Sequence, residues 1–332
     1  MPKIKAIGLL SGGLDSTLAL KTILNENIDV TVLHFTSPFC TCSSRKDVCH
    51  NEAERVAREM KVPIKIMVKG VDYVNIIRNP KYGHGKGINP CIDCRIYMLR
   101  RTKEYGDKIG AAFYFTGEVV GQRPMSQRIN AMNIVEKESG MKDILLRPLS
   151  AHFFKPTIAE REGWINREHL LKISGRSRTP LFDLAESLNI ADYPCPSGGC
   201  RLTDKIFAKK MRDLLDHPEI ISYSDLKLLT VGRHFRLSKN AKLIIGRDEQ
   251  ENAFIGNWSS GYMSLSPDFL GPDGIIVGKP TEDDLKKAAE IMIFYSKEKA
   301  PSEALIKFSD GRQITIKKEN CSENPSKYNV CV

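Results

Sequence analysis

Two sets of residues in this chain have the types and spacing to do chemistry. The first is Ser11-Gly12-Gly13-Leu14-Asp15-Ser16. It lies between an apolar run, Ile7-Gly8-Leu9-Leu10, that reads as a short buried strand, and Thr17 to Leu24, which reads as a helix. Strand, tight turn and helix N-terminus together form an anion cradle: the glycines admit close backbone approach, N–H groups point at the ligand and the helix dipole favours negative charge. Ser11 and Ser16 add hydroxyl donors, and Asp15 can hold a metal ion or cap the helix. As plain structure the same residues are a junction with polar caps. Their place in the first strand-to-helix turn favours phosphate. No Gly-Lys-Ser/Thr follows the glycines, so this is not a Walker loop.

The second set is made of thiols. Cys91-Ile92-Asp93-Cys94 closes a Gly- and Pro-rich loop, residues 79–90, and opens a basic helical stretch. Two thiols two residues apart can share one metal or cluster, and a helix N-terminus stabilises their thiolates. Cys195 and Cys200 lie about a hundred residues later, again in a loop before a helix. A Cys-x-x-Cys pair with a remote third Cys fits thiolate ligation of zinc or an iron–sulfur cluster; a redox dithiol or incidental loop cysteines are the plainer alternatives. Cys40, Cys42, Cys49 and His50 form a looser third group, for which ordinary reduced thiols are favoured over a zinc site. Cys321 and Cys331 sit in a polar tail and read as incidental. His84, alone in its loop, reads as solvated.

The elements that must position these residues alternate. Beta-branched runs at 28–35, 62–68 and 111–117 alternate with helical spacing at 47–60 and 94–109, which predicts a doubly wound parallel sheet with ligands at the carboxyl ends of its strands. Leu9 and Leu10, leading into the glycine turn, Phe35 and Gly117 all fall at such ends. Phe35 is equally suited to the core. Gly117 to Gln127 carries Arg123, a candidate for ATP or RNA phosphate, and Arg147 ends a further strand, either facing the cleft or buried as a structural pair.

Ser-Gly-Gly-x-Asp-Ser resembles the PP-loop of the ATP pyrophosphatase superfamily (adenine nucleotide α-hydrolase-like fold), with every fixed position matched by Ser11, Gly12, Gly13, Asp15 and Ser16. Members cleave ATP between the α- and β-phosphates and adenylate a carbonyl oxygen that a nucleophile then replaces. Asn89-Pro90-Cys91-Ile92-Asp93-Cys94 resembles the cysteine segment of PP-loop tRNA thiolases, of the 2-thiouridylase and 4-thiouridine synthase kinds. The resemblance implies ATP with Mg²⁺, a [4Fe-4S] cluster held by Cys91, Cys94 and Cys200, and sulfide bound at one iron. Cys195 is the alternative ligand and zinc the alternative metal. In other 2-thiouridylases a persulfide and disulfide mechanism is assigned instead, which would make Cys94 and Cys200 the sulfur carrier and its partner. Asp15, Cys94 and Cys200 are then the catalytic expectations. Leu9, Leu10, Ser11, Gly12, Gly13, Asp15, Ser16, Phe35 and Gly117 are expected to hold the nucleotide.

The chain has 332 residues, a net charge of +10, 41% hydrophobic and 27% charged residues and nine cysteines. This is the composition of a globular protein of two or three domains, and nine cysteines in a chain expected to be cytosolic argue for metal, cluster or thiol chemistry over structural disulfides. Met1-Pro2-Lys3-Ile4-Lys5 runs straight into the first strand and no apolar run approaches the ~20 residues of a bilayer span, so the cytoplasm is the expected location and no membrane partner is expected. The positive balance suggests a polyanion. Basic tracts around Cys200 nominate Arg176, Arg178, Lys209 and Lys210 beside Arg123 as tRNA contacts, with solvated faces as the plain alternative.

Three regions are expected: 1–152, a PP-loop ATP-binding domain; 153–220, a basic helical segment carrying the second Cys motif and touching tRNA; and 221–332, a smaller α+β domain of short strands and one helix from Thr281 to Tyr295. Gly232-Arg233-His234-Phe235-Arg236 resembles a small RNA-binding domain of factors acting on ribosome-bound tRNA, with His234 structural or phosphate-touching. The reading is therefore an ATP-dependent tRNA sulfurtransferase served by sulfide or by a cysteine desulfurase or persulfide carrier, and a homodimer is compatible with it. Two alternatives stay open: a PP-loop ligase or amidating enzyme with structural zinc and another acceptor, and a non-catalytic RNA-binding protein switched by ATP.

Overall fold

The computed structural model describes residues 3–40, 48–193, 199–217, 221–296, 300–321 and 324–331. Cys42 and Cys195 lie outside the described residues, as do the side chains of Cys49 and His50. The chain divides into two compact units, Met1–Thr203 and Asp204–Val332.

In the first unit, β1 (Lys5–Leu9), β2 (Asp29–Thr36), β3 (Ile64–Val68), β4 (Phe113–Thr116) and β5 (Leu145–Leu146) make a sheet of order β3-β2-β1-β4-β5, parallel throughout. Between them run α1 (Leu14–Leu24), α2 (Val48–Glu59), α3 (Val74–Arg78), α4 (Cys91–Ile109), α5 (Ile129–Glu138), α6 (Ile158–Arg161) and α7 (Thr179–Ser187). Period-2 alternation sends Ala6, Phe113 and Phe115 to one face, against Leu14 and Leu18 of α1. Ile7, Leu33 and Tyr114 go to the other, against Ile96 and Leu99 of α4 and Val135 of α5. Both faces are covered, as a parallel sheet requires. The chain leaves β1 for β2 on one side and reaches β4 on the other, so the crevice of the fold opens at the carboxyl end of β1.

The expected middle segment, 153–220, is shared between the two units. Ile165, Leu170, Leu181 and Ala185 are buried in the core of the first, and Trp164 stacks on Phe113 with ring centroids 6.4 Å apart. Burial of these apolar side chains offsets the basic character of the segment and makes it part of the sheet domain. Its last residues instead begin the second unit: α8 (Lys205–Asp216) buries Phe207, Ala208 and Met211.

The second unit continues with α9 (Tyr223–Leu228), β6 (Arg233–Ser238), β7 (Ala241–Ile245), α10 (Glu249–Asn257), β8 (Met263–Pro267), β9 (Gly274–Gly278), α11 (Glu282–Ser296), β10 (Glu303–Phe308) and β11 (Gln313–Lys317). Its sheet is antiparallel, of order β11-β10-β8-β9-β7-β6. Neighbouring residues again part company: Ile245 and Ile276 pack with Leu285, Ala288 and Met292 of α11, whereas Ile244 and Ile275 pack with Leu228 and Ile255. The α+β expectation for this part of the chain holds. Among the described residues no helix is long and apolar enough to cross a membrane.

Candidate active site

The glycine turn sits at the mouth of the crevice. Gly13 is the N-cap of α1 in an extended conformation, and among the described residues no side chain caps the helix, so its dipole is available to an anion. The two serines brace the turn. Ser16 Oγ donates to the Gly13 carbonyl at 2.9 Å and lies 3.1 Å from Ser11 Oγ, and Gly13 N–H donates to Ser11 Oγ at 3.3 Å. Gly12 has φ +81°, and a Cβ there would meet Ala53 N at 2.8 Å. Gly117, just beyond β4, lies so close that a Cβ would stand 2.5 Å from Asp15 O and 2.6 Å from Ser16 Cα. Both glycines are therefore required by the cradle's own packing.

One cleft joins this turn to the thiols. It is lined by Leu9, Leu10, Ser11, Asp15, Ser16 and Phe35 from the expected nucleotide set, with Gly117 from β4's end, and by Cys40, Cys91, Cys94 and Cys200. Gly12 and Gly13 shape the turn without lining the cleft. His34 at the end of β2 fixes the wall: its Nδ1–H donates to the Leu10 carbonyl at 2.8 Å.

Cys91 and Cys94 open α4, one turn apart, as expected. Burial, then the neighbouring Cys94, pushes the Cys91 thiol up, against the opposing pull of Arg123 and Arg95. Burial pushes Cys200 up to about 12, so it is a neutral thiol at pH 7. Cys40 stands directly opposite Cys200 in an isolated antiparallel bridge. Four thiols thus face one cleft, but among the described residues no three His, Cys, Asp or Glu side chains stand close enough together to hold a metal ion.

Three residues missed in the sequence complete the site. Lys69, just past β3, sits 3.6 Å from Cys94 Sγ. Burial alone would depress its ammonium, but the sulfurs of Cys94, Cys40 and Cys200 outweigh that and hold it above the ordinary lysine range. Glu118 is buried, 3.1 Å from Arg95 and 3.5 Å from Arg147; burial works against its charge, but the two guanidiniums hold it below the usual carboxylate range. Gln127 is also buried in the cleft wall, and its side-chain oxygen has no partner among the described residues. Asp93 clamps the 79–90 loop, accepting from Lys81 N–H at 2.9 Å and Tyr82 N–H at 3.1 Å. Lys69, Glu118 and Gln127 follow no motif spacing; each is defined by elements far apart in the chain.

The basic residues part into different roles. Arg123 lines the cleft. Arg178 reaches Asp15 at 3.4 Å, and Arg176 is exposed. Arg147 is the buried pair, not a cleft residue: it bonds Glu136 at 2.8 Å as well as Glu118. His84 bonds the Ile77 carbonyl at 2.7 Å, so it is not merely solvated. In the second unit Lys209 is exposed and donates to the Cys331 carbonyl at 2.9 Å. Lys210 requires a correction. It is buried, and its ammonium is taken by the carbonyls of Leu229, Val231 and Gly232 at 3.4, 3.2 and 2.9 Å, so it cannot meet a phosphate. Burial lowers it to about 8. His234 is fully buried, with Nε2–H donating to the Val231 carbonyl at 2.9 Å, which makes it structural.

Comparison with known proteins follows the same division. Residues 3–159 match the family model described as thiamine biosynthesis protein (ThiI), and residues 232–328 match the one described as NFACT protein RNA binding domain. A tRNA-specific 2-thiouridylase of Leptospira interrogans is 24% identical over 212 residues, covering 58% of this chain and 54% of that protein. A probable tRNA sulfurtransferase of Lacticaseibacillus casei is 28% identical over 159 residues, 48% of this chain and 37% of that protein. The chain spans about half the length, or less, of the curated relatives it matches. Among solved structures, a 4-thiouridine synthetase in complex with RNA and ATP aligns over 56% of this chain and 51% of that chain, with 23% identity and a TM-score of 0.36.

Proposed function

We propose that this chain, which joins a ThiI-type PP-loop domain to an NFACT-type RNA-binding domain, is an ATP-dependent tRNA sulfurtransferase that replaces a uridine carbonyl oxygen with sulfur. The observation that carries the reading is the single cleft shared by the Ser11–Ser16 turn and the thiols of Cys40, Cys91, Cys94 and Cys200. An activating site and a sulfur site must meet at the same carbon, and here they line one cavity.

The residues fit ATP: two glycines that tolerate no Cβ, two hydroxyls and an uncapped helix end form a cradle for phosphates. Asp15 is the chain's carboxylate for the Mg²⁺ that travels with ATP, and the ion would neutralise charge on the phosphates. The uridine oxygen attacks the α-phosphorus and pyrophosphate leaves. A sulfur nucleophile then attacks the adenylated carbon and AMP leaves. Sulfur is taken to arrive as a cysteine persulfide, a carrier that a thiol lining the cleft can form without a metal. The exposed bases Arg176 and Lys209 are proposed as phosphate contacts for tRNA, and the protein is proposed to act in the cytoplasm.

The test is a reconstituted reaction with purified protein, tRNA, ATP and a persulfide donor, read by nucleoside mass spectrometry and AMP release. Thiolated uridine with equimolar AMP is expected, and Asp15→Ala should lose both. Unthiolated tRNA from the complete reaction, or full AMP release by Asp15→Ala, would reject the reading. Iron and sulfide analysis of anaerobically purified protein checks the carrier: stoichiometric iron would replace the persulfide route by a cluster.

A further inference from the structure

We infer that Cys40 and Cys200 are a reversible redox pair: Cys40 carries the transferable sulfur, and Cys200 displaces it by closing a Cys40–Cys200 disulfide. The inference rests on the sulfurtransferase reading and names which thiols of the site carry it out. Family resemblance pairs Cys200 with Cys94; the backbone pairs it with Cys40.

The two cysteines face each other across the isolated antiparallel bridge. Arg201 N–H donates to the Phe39 carbonyl at 2.8 Å, so the hydrogen bond joins the residues flanking the pair. Cys40 and Cys200 therefore occupy a non-hydrogen-bonded position, where facing Cα atoms are about 4.5 Å apart and side chains are closest. That separation lies inside the Cα range of disulfides, about 4.4–6.8 Å. Arg201 reinforces the pairing, its Nε donating to the Cys40 carbonyl at 3.2 Å. Both residues line the cleft and are partly exposed.

The neighbours divide the roles. Ser37 Oγ lies 3.6 Å from Cys40 Sγ, and the Lys69 ammonium, 3.6 Å from Cys94 Sγ, also acts electrostatically on the sulfurs of Cys40 and Cys200. A hydroxyl and a cation beside Cys40 suit a persulfide anion there. In the first step the Cys40 thiolate attacks the outer sulfur of a donor persulfide, forming a new S–S bond and releasing the donor thiolate. In the second the Cys200 thiol attacks Cys40 Sγ, the bond to the outer sulfur breaks, and that sulfur leaves with the electron pair. The Cys200 proton ends on it, giving hydrosulfide. The two cysteines are oxidised by two electrons and the outer sulfur is reduced to sulfide, the nucleophile that the adenylated uridine requires. A small-molecule dithiol then reduces the disulfide.

The closing segment also senses this bond. Ile88 N–H donates to the Leu202 carbonyl at 2.9 Å, and Gly87 packs on the same carbonyl, where a Cβ would approach to 2.3 Å. A Cys40–Cys200 bond would tie residues 199–203, and through them the loop before Cys91, to the end of β2.

The experiment uses the full chain, reduced and then exposed to inorganic polysulfide, quenched with acid and N-ethylmaleimide, and digested without reductant. A linked peptide pair joining Cys40 to Cys200, located by fragmentation, is expected, with one sulfide released per bond. A Cys94–Cys200 or Cys91–Cys94 bond, or sulfide release without any new bond, would overturn the inference. In Cys200→Ser a persulfide should be trapped on Cys40, and sulfide release should fall at least about tenfold; trapping on Cys94 instead overturns it. The wild-type peptide map needs no variant to fold. None of these readouts needs tRNA, so failure of tRNA thiolation with the Cys40–Cys200 bond intact would count against the sulfurtransferase reading alone.

Discussion

Arg178, the N-cap residue of α7, reaches Asp15 in the first turn of α1, with 3.4 Å between Nη2 and Oδ1. The two residues are 163 positions apart in the chain. The aspartate proposed to hold a nucleotide's metal therefore faces a guanidinium that could itself take a phosphate. Arg178 is expected to serve ATP before it serves RNA. Arg178→Ala should weaken ATP binding roughly tenfold, the ~1.4 kcal/mol of one charge-assisted contact. Calorimetry with ATP and Mg²⁺ in the absence of tRNA checks this. An unchanged ATP affinity with weakened tRNA binding would return Arg178 to the nucleic-acid set.

Gly117→Ala isolates the cradle from the rest of the fold. The added methyl would lie 2.5 Å from Asp15 O and 2.6 Å from Ser16 Cα, both on α1's first turn rather than on a flexible side chain. The turn must shift, and with it the amides and hydroxyls proposed to hold phosphates. ATP binding should fall by at least about two orders of magnitude, since a misplacement of ~1 Å is enough to cost that much in a preorganised site. The circular dichroism spectrum should stay that of the parent. Parent-like ATP affinity would show that the phosphates do not lie against this turn.

The buried ion network behind the site makes a stability prediction. Glu118 holds Arg95 and the fully buried Arg147 together. Glu118→Gln removes the charge that compensates Arg147, leaving Glu136 as its remaining carboxylate partner at 2.8 Å. A loss of about 3 kcal/mol is expected, at the low end for breaking a buried pair. Because Arg95 and Arg147 hold the Glu118 carboxyl below its ordinary value, its contribution is fully present above the unfolded carboxylate value. It is lost as pH falls through the lower folded value. Urea unfolding of parent and variant at pH 7 and at pH 4 reads both effects; the gap between them should be smaller at the lower pH.

How much of this was legible in the sequence depends on how local each feature is. The glycine turn, the strand ends at Phe35 and Gly117 and the helix opened by Cys91 were readable because each is fixed by residues within about ten positions. The parallel sheet followed from strands alternating with helices. Lys69, Glu118 and Gln127 were not readable, since their partners come from β3, β4, α4 and the loops between. The pairing of Cys40 with Cys200 spans 160 positions and shows in no motif. The boundary at 203/204 was hidden for another reason: charge in residues 153–203 drew attention away from Ile165, Leu170 and Leu181, whose burial decides where that segment packs. Lys209 and Lys210 were indistinguishable by type, and only the face of α8 separates them.

That last pair gives a test with two opposite outcomes. Lys209 is exposed, so Lys209→Ala should leave stability within ~0.5 kcal/mol of the parent. If the residue meets tRNA phosphate, the variant lowers the slope of log affinity against log salt by about 1. Lys210 is the reverse case. Its substitution by Met leaves the carbonyls of Leu229, Val231 and Gly232 without their shared donor, a cost of about 1–3 kcal/mol, and should leave the salt slope unchanged. The two proteins should also differ in their response to base. Burial lowers Lys210 to about 8 in the folded chain, from an ordinary lysine value of 10.5. Between those values the unfolded chain binds a proton that the folded chain does not, so this residue makes parental stability rise with pH across that window. Below it both states are protonated and the effect is flat. Denaturant unfolding at pH 7.5 and pH 9.5 should therefore show Lys210→Met losing ground to the parent at the higher pH. A constant gap would mean that Lys210 keeps an ordinary ammonium and that its three carbonyl contacts are made at no protonation cost.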